Sequence, residues 1–148
     1  MAILLLRHAK AGDREEWTGD DHLRPLSKPG RRQADGLVEW LRAFRVTRVL
    51  SSPSVRCVQT VDPLAKARGL PVEVSEVLAE GGGAKAAIIL MRELEDDAVL
   101  CTHGDVLWYV LQALTKKQVD TPKGGGWVIE VGDRGPRVIR AIPAPSGE

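Results

Sequence analysis

The sequence predicts an α/β fold in which strands and helices alternate around a largely parallel sheet. Short apolar runs typical of buried strands recur along the chain, and segments with apolar residues at helical spacing lie between them. This alternation favours a layered α/β sheet. A length of 148 residues favours a single domain.

The first predicted strand, residues 2–6, is an uninterrupted apolar run, which is typical of a strand buried on both faces. Residues 11–24 carry five acidic side chains and are expected to form an exposed loop. A helix is expected after Ser27, a good N-cap, because four apolar residues then share one face: Ala34, Leu37, Val38 and Leu41. Residues 48–51 form a second predicted strand, which ends at the Ser51-Ser52-Pro53 breaker.

The rest of the chain continues the same alternation. A helix over residues 54–68 should be kinked or broken at Pro63, and residues 72–74 form a short third strand. Gly81-Gly82-Gly83 marks a loop, and the next helical stripe comprises Ala87, Leu90, Met91 and Leu94. Residues 98–102 form a strand, and the helix after it carries Val106, Tyr109, Val110 and Ala113.

Two further strands, residues 127–131 and 138–142, are expected to be joined by a connector over residues 132–136. No repeat or interdomain linker interrupts the pattern. We therefore expect one domain over residues 1–142, with residues 143–148 forming a disordered tail.

Charge and hydropathy limit the classes of partner. The chain has 21 Lys and Arg residues against 20 Asp and Glu residues, a net charge of +1, so no nucleic-acid or membrane partner is expected. Any anionic ligand must be held by a local cluster. No apolar stretch is long enough to span a bilayer, no signal-peptide pattern is present, and the two cysteines suggest no disulfide framework. These features favour a cytoplasmic location.

Polar and basic side chains follow three of the predicted strands. The first strand ends in Arg7-His8, the second is followed by Arg56 one turn into a helix, and the fourth ends in Thr102-His103-Gly104. In sheets of this kind, ligands collect outside the carboxyl ends of the strands. Arginine side chains and helix N-terminal amides suit phosphate oxygens. Spacing alone therefore indicates an anion-binding α/β domain.

These blocks resemble the histidine phosphatase superfamily, the phosphoglycerate mutase-like proteins. The first block is Leu4-Leu5-Leu6-Arg7-His8-Ala9, and the second is Leu23-Arg24-Pro25-Leu26-Ser27 followed by Gly30, Gln33 and Ala34. The third is Ser51-Ser52-Pro53 with Arg56, Gln59 and Thr60, and the last is Thr102-His103-Gly104. Ala9 stands where the family usually has Gly, and Ala suffices if φ there is negative. The resemblance implies a three-layer α/β/α sandwich with a mostly parallel mixed sheet of about six strands.

The resemblance also implies a mechanism. His8 would attack phosphorus through a neutral ring nitrogen and form a phosphohistidine that water hydrolyses. Arg7, Arg56 and His103 would hold the phosphoryl oxygens and offset the charge of the transition state. Neither a metal nor a cofactor is required.

Two further residues, Glu80 and Arg24, each have two possible roles. Glu80 matches the carboxylate that serves relatives as general acid on alkyl phosphates, but it could equally be a solvated loop residue beside three glycines. Arg24 could add a phosphate contact or form a structural ion pair with Asp20 or Asp21. For His22, in the same loop, a structural role is favoured over a phosphate contact.

The spacing of the motifs and the resemblance also predict a class of substrate. The small spacing between the blocks leaves a compact, open site, and the chain most resembles the small phosphohistidine phosphatases of SixA type. A phosphoprotein carrying phosphohistidine is therefore the expected substrate. A nucleotide, polyphosphate or small phosphate ester is the alternative, because the chain is also similar to the phosphatase domain appended to some bacterial Nudix hydrolases. A non-catalytic phosphate-binding module is a further alternative.

Overall fold

The computed structural model describes residues 1–148 and shows a six-stranded sheet with two helices on each face. The strands are β1 (Ala2–Arg7), β2 (Arg48–Ser51), β3 (Val72–Val74), β4 (Ala98–Thr102), β5 (Gly126–Gly132) and β6 (Gly135–Ile142). The helices are α1 (Lys28–Trp40), α2 (Val55–Arg68), α3 (Ala84–Glu93) and α4 (Gly104–Thr115). Single turns of 3-10 helix lie at Asp21–Leu23 and Glu76–Leu78. None of the helices is long and apolar enough to cross a bilayer.

The sheet has the strand order β3-β2-β4-β1-β5-β6 and is mixed. Strands β1 to β4 pair in parallel, whereas β5 and β6 are antiparallel to their neighbours. The predicted fold class, a mostly parallel mixed sheet of about six strands in an α/β/α sandwich, is therefore confirmed.

The core lies in two layers, one on each face of the sheet. Successive side chains of a strand point to opposite faces, so Leu4 and Leu6 pack towards α1 and α2, whereas Ile3 and Leu5 pack towards α3 and α4. Burial on both faces explains why β1 is an unbroken apolar run.

The register of the parallel strands brings the predicted site residues together. Arg7 at the end of β1 lies opposite Thr102 at the end of β4, so His8 and His103 follow neighbouring strands. Ser51 on β2 lies opposite Cys101 on β4, which places Ser52 on the other side of His103. Three chain segments therefore leave the sheet at one edge.

Three local expectations are corrected by the structure. Helix α2 continues through Pro63 without a break. Strands β5 and β6 extend further towards each other than predicted and leave only Asp133 and Arg134 between Gly132 and Gly135.

The third correction concerns residues 143–148, the predicted disordered tail, which instead lie along α1. Trp40 Nε1 donates to the carbonyl of Pro143 at 2.6 Å, and Gln33 Nε2 donates to that of Pro145 at 3.1 Å. Arg32 Nε donates to the carbonyl of Gly147 at 2.6 Å. Side chains of α1 thus fix a segment that has no secondary structure of its own, a long-range effect that its composition does not reveal.

Candidate active site

His8 immediately follows β1, and its ring has a defined orientation. Its backbone N–H donates to Thr102 O at 3.1 Å, and its ring Nδ1 lies 2.8 Å from Ala9 O. Because a carbonyl can only accept, Nδ1 carries the hydrogen and Nε2 keeps a free lone pair. Burial lowers the pKa of His8 to about 3, with the charges of His103, Arg56 and Arg7 acting in the same direction. The ring is therefore neutral at physiological pH.

Arg7 lies beside this ring at the end of β1. Its NH1 donates to Thr121 O at 2.7 Å, and burial lowers the pKa of its guanidinium below the usual value. The guanidinium packs on the first residue of α4, Gly104, where a Cβ would lie 2.8 Å from Arg7 Cζ. A side chain at position 104 would require the guanidinium of Arg7 to move.

His103 completes the pair of histidines. Its ring centroid lies 5.4 Å from that of His8, with the two ring planes at 67°. Its Nε2 is 2.8 Å from Ser52 Oγ and 3.5 Å from Cys57 Sγ. The opposite nitrogen, Nδ1, lies 3.5 Å from a carboxylate oxygen of Glu80. His103 thus uses one nitrogen for anchoring and presents the other to the pocket.

Arg56, in the first turn of α2, is 1% exposed and is held by acidic groups. Its NH1 donates to the backbone carbonyl of Asp21 at 2.9 Å, and its NH2 contacts Asp21 Oδ2 at 3.2 Å and Glu80 Oε2 at 2.5 Å. Partial burial alone would raise the pKa of Asp21, but the hydrogen bond from Arg24 and the charges of Arg56, Arg24 and Arg14 lower it overall. Asp21 therefore orients a buried cation.

The buried polar atoms that lack a partner are concentrated at this site. Three buried side-chain nitrogens have no hydrogen-bond partner: Arg7 Nε, Arg56 Nε and His103 Nδ1. Buried donors are normally paired, and leaving one unpaired costs roughly 1–3 kcal/mol. Their concentration beside His8 indicates a site that accepts an anion with several oxygen acceptors.

Glu80 and Arg24, the two residues with open alternatives, differ in position. Glu80 lines the pocket of His8, and its Oε1 also contacts Arg14 at 3.4 Å, so it is not a free loop residue. Arg24 is buried and forms the structural ion pair that was predicted as one of its two possible roles. Its Nε donates to Asp21 at 3.0 Å, and its NH1 donates to Gly12 O at 2.5 Å. The structure therefore shows Arg24 supporting the loop. His22, in the same loop, is exposed.

Several residues of the site were not singled out from the sequence. The pocket has a volume of about 540 Å³ and is lined by Arg7, His8, Arg14, Glu80, His103, Gly104, Asp105, Trp108, Tyr109, Asp120 and Thr121. Thr121 is distant in sequence and anchors Arg7 through its backbone carbonyl, so its side chain gives no signal. Tyr109, expected on the apolar stripe of α4, is instead 49% exposed, and Trp108 beside it could have been noticed as an aromatic residue soon after His103. No group of three or more His, Cys, Asp or Glu side chains could hold a metal ion.

The pocket holds a buried neutral histidine, a second histidine and Arg7, while the buried Arg56 does not line it and contacts its lining residue Glu80. This set of groups is typical of a phosphoryl-binding class of protein. The profile of the histidine phosphatase superfamily (branch 1) matches residues 3–85. The chain belongs to this superfamily, which confirms the family expected from the motifs.

Individual relatives add detail. The chain is 35% identical over 143 residues to an 8-oxo-(d)GTP phosphatase of Mycolicibacterium smegmatis; the match covers 88% of this chain and 44% of that protein. The chain thus spans less than half of that relative. Among solved structures, the protein histidine phosphatase SixA complexed with tungstate superposes with a TM-score of 0.81 at 19% identity, with 97% of each chain covered. A mutant phosphoserine phosphatase of Entamoeba histolytica in complex with phosphoserine superposes with a TM-score of 0.75 at 13% identity, with 95% of this chain and 96% of that chain covered.

Proposed function

We propose that this chain is a phosphatase that transfers a phosphoryl group to Nε2 of His8 and then to water. The observation that carries the proposal is the set of three unpaired buried nitrogens, on Arg7, Arg56 and His103, beside a histidine whose free nitrogen is Nε2. Membership of the histidine phosphatase superfamily supports the same chemistry.

The proposed reaction has two displacements at phosphorus. Nε2 of His8 forms a bond to phosphorus while the bond to the leaving group breaks, and the leaving group takes the electron pair and a proton. Water then attacks the phosphohistidine, the P–N bond breaks, and inorganic phosphate leaves. The two arginines and Nδ1 of His103 stabilise the charge on the phosphoryl oxygens in both steps. No step is assigned to a metal ion.

One candidate substrate is a protein phosphohistidine. The shared fold of SixA and an open pocket without a covering insertion support it. A nucleoside phosphate is a second candidate, which the 35% identity to an 8-oxo-(d)GTP phosphatase favours. Because this chain matches less than half of that relative, the relative's activity does not decide between the two substrates here. A cytoplasmic location stays a prediction.

Release of phosphate from p-nitrophenyl phosphate tests the proposed reaction. Wild type should release phosphate, and His8→Ala should reduce the rate by at least about 10³-fold because the nucleophile is removed. His22→Ala, at an exposed histidine of the neighbouring loop, is the matched control and should retain activity. Equal rates for wild type and His8→Ala would contradict the proposal and favour a phosphate-binding module.

A further inference from the structure

Two aromatic rings of α4 lie beside the phosphoryl site without a role in the core. Trp108 and Tyr109 are the hydrophobic residues among those that line the pocket of His8. Their ring centroids are 5.3 Å apart with the planes at 89°, and Tyr109 is 49% exposed. The adjacent Val106, Leu107 and Val110 already supply the buried face of α4. Packing therefore does not account for the exposed ring of Tyr109.

Tyr109 also lines a second cavity, so the two cavities meet at its ring. This neighbour has a volume of about 610 Å³ and is bounded by the loop Gly81-Gly82-Gly83 and by the α4 residues Gln112 and Ala113, with Lys116 just beyond the helix. The loop is tied to α4, because Gly81 N–H donates to Asp105 Oδ2 at 2.8 Å. Open space lies outside Gly81 and Gly83, where a Cβ would meet no atom within 4 Å. The surface thus continues from His8 past Tyr109 to Gln112.

We propose that Tyr109, Trp108 and Gln112 form a subsite for the nucleoside of a nucleoside di- or triphosphate. This inference rests on the proposed phosphatase function and assigns the substrate to the nucleoside phosphates. The base stacks on the ring of Tyr109, with Trp108 fixing that ring edge to face. The amide of Gln112 offers both a donor and an acceptor to the edge of a base.

The pocket of His8 is lined by two arginines, Arg7 and Arg14, and by three carboxylates, Glu80, Asp105 and Asp120, so a polyphosphate must contact the arginines. Arg7 lies at the reacting phosphoryl group, and Arg14, whose side chain is 63% exposed, lines the same pocket. A ligand with two or three phosphates and one base would contact Arg7 and Arg14 through its phosphates and the ring of Tyr109 through its base. A cavity of this size lies in the usual range for small-molecule sites, about 300–1,000 Å³. A protein partner would need roughly 800 Å² of surface, and the α4 positions beyond the two rings are small or polar.

Binding measured with a non-hydrolysing variant tests the subsite independently of turnover. In a His8→Ala background, GDP and ADP should bind at least fivefold more weakly after Tyr109→Ala, because stacking on an aromatic ring is worth about 1–3 kcal/mol. Pyrophosphate, which lacks a nucleoside, should bind within twofold of the background protein. Tyr109→Phe should restore nucleotide binding, whereas Tyr109→Leu should not.

The control variant is Ile89→Ala, which removes an exposed apolar side chain of α3 outside both cavities. It should leave GDP binding unchanged. Equal losses for GDP and pyrophosphate, or no loss for GDP, would overturn the subsite. Absence of turnover with wild type would instead contradict the proposed phosphatase function, while the binding comparison would still decide the subsite. If wild type hydrolyses a phosphohistidine protein and does not bind GDP, the substrate assignment fails and the phosphatase reaction stands.

Discussion

At the residue scale, the site depends on which ring nitrogen of each histidine is free. A carbonyl fixes the hydrogen of His8 on Nδ1 and leaves the lone pair of Nε2 free, as the proposed reaction requires. In His103 the roles are reversed, because Nε2 is held by Ser52 and Nδ1 faces the pocket. The hydroxyl of Ser52 can either donate or accept, so this contact is compatible with either tautomer of His103.

Ser52 is therefore a positioning residue, and its removal should impair His103 without removing a substrate contact. We expect Ser52→Ala to lower kcat by about tenfold and to change the pH profile of kcat, because Nε2 of His103 loses its partner at 2.8 Å. Steady-state kinetics over a range of pH would measure both. Ser54→Ala is the matched control, since this nearby buried serine makes no capping hydrogen bond through its hydroxyl. An unchanged pH profile in Ser52→Ala would contradict the role.

The low pKa of His8 also links the site to stability. The unfolded chain has a His pKa of about 6.5, so between pH 6.5 and about 3 it binds more protons at this residue than the folded chain does. The free energy of unfolding therefore falls as pH drops through that window. We expect wild type to lose about 2 kcal/mol more between pH 7 and pH 5 than His8→Asn, measured by urea unfolding. The same loss in both proteins would show that His8 titrates normally.

We propose that Glu80, which lines the pocket, protonates the leaving group, so its contribution should depend on the substrate. An alcohol needs a proton as it leaves, whereas the imidazole of a phosphohistidine needs it less. Glu80→Gln should lower kcat for alkyl phosphates by about 10²-fold and for phosphoramidates by only a few-fold. Phosphate release from both substrate types by one preparation would measure the ratio. Equal small losses would remove Glu80 from the proton transfer.

At the element scale, the parallel register of β1, β2 and β4 assembles the site, and the close approach of α4 to Arg7 completes it. The first residue of α4 is glycine because the guanidinium of Arg7 occupies the space that a side chain would need. An added methyl group must displace Arg7 or tilt α4, since the approach of 2.8 Å is too short for a carbon contact.

Gly104→Ala should therefore reduce activity while the chain still folds. We expect kcat/KM for p-nitrophenyl phosphate to fall by at least about tenfold, because Arg7 loses its position against the phosphoryl oxygens. Gly132→Ala, at the end of β5 with open space around it, is the control and should retain activity and stability. Thermal unfolding of both variants would separate a displaced arginine from a general loss of fold. Full activity of Gly104→Ala would contradict this packing.

The sequence predicts helices and strands well where neighbouring residues determine them. It predicts the conformation of a segment poorly where contacts with a distant segment determine it. Ser27 caps α1 as expected, with Gly30 N–H donating to its hydroxyl at 3.2 Å. Ala9 is tolerated because its φ is not positive. The order of residues 143–148 depends on α1, more than a hundred positions earlier, and the anchoring of Arg7 depends on the carbonyl of Thr121. Such contacts leave no pattern in either segment alone.

At the scale of the whole molecule, positive and negative side chains are nearly equal in number, and the cations of the site are buried or paired with acidic groups. Arg56 is held by Asp21 and Glu80, and the charges of Arg7 and Arg56 both lower the pKa of His8. The motifs in the sequence indicate this convergence, because the ends of parallel strands meet at one edge of a sheet. They do not indicate the aromatic surface of α4, whose exposure is a property of the folded helix.

The proposed reaction requires that phosphorus become bonded to Nε2 of His8 during turnover. Rapid quenching of the wild-type protein at alkaline pH during hydrolysis, followed by peptide mass spectrometry and ³¹P NMR of the modified peptide, measures this bond itself. We predict a phosphohistidine that is stable in base, labile in acid and located on His8 at Nε2. A phosphoryl group on another residue, or on Nδ1 of His8, would contradict this mechanism.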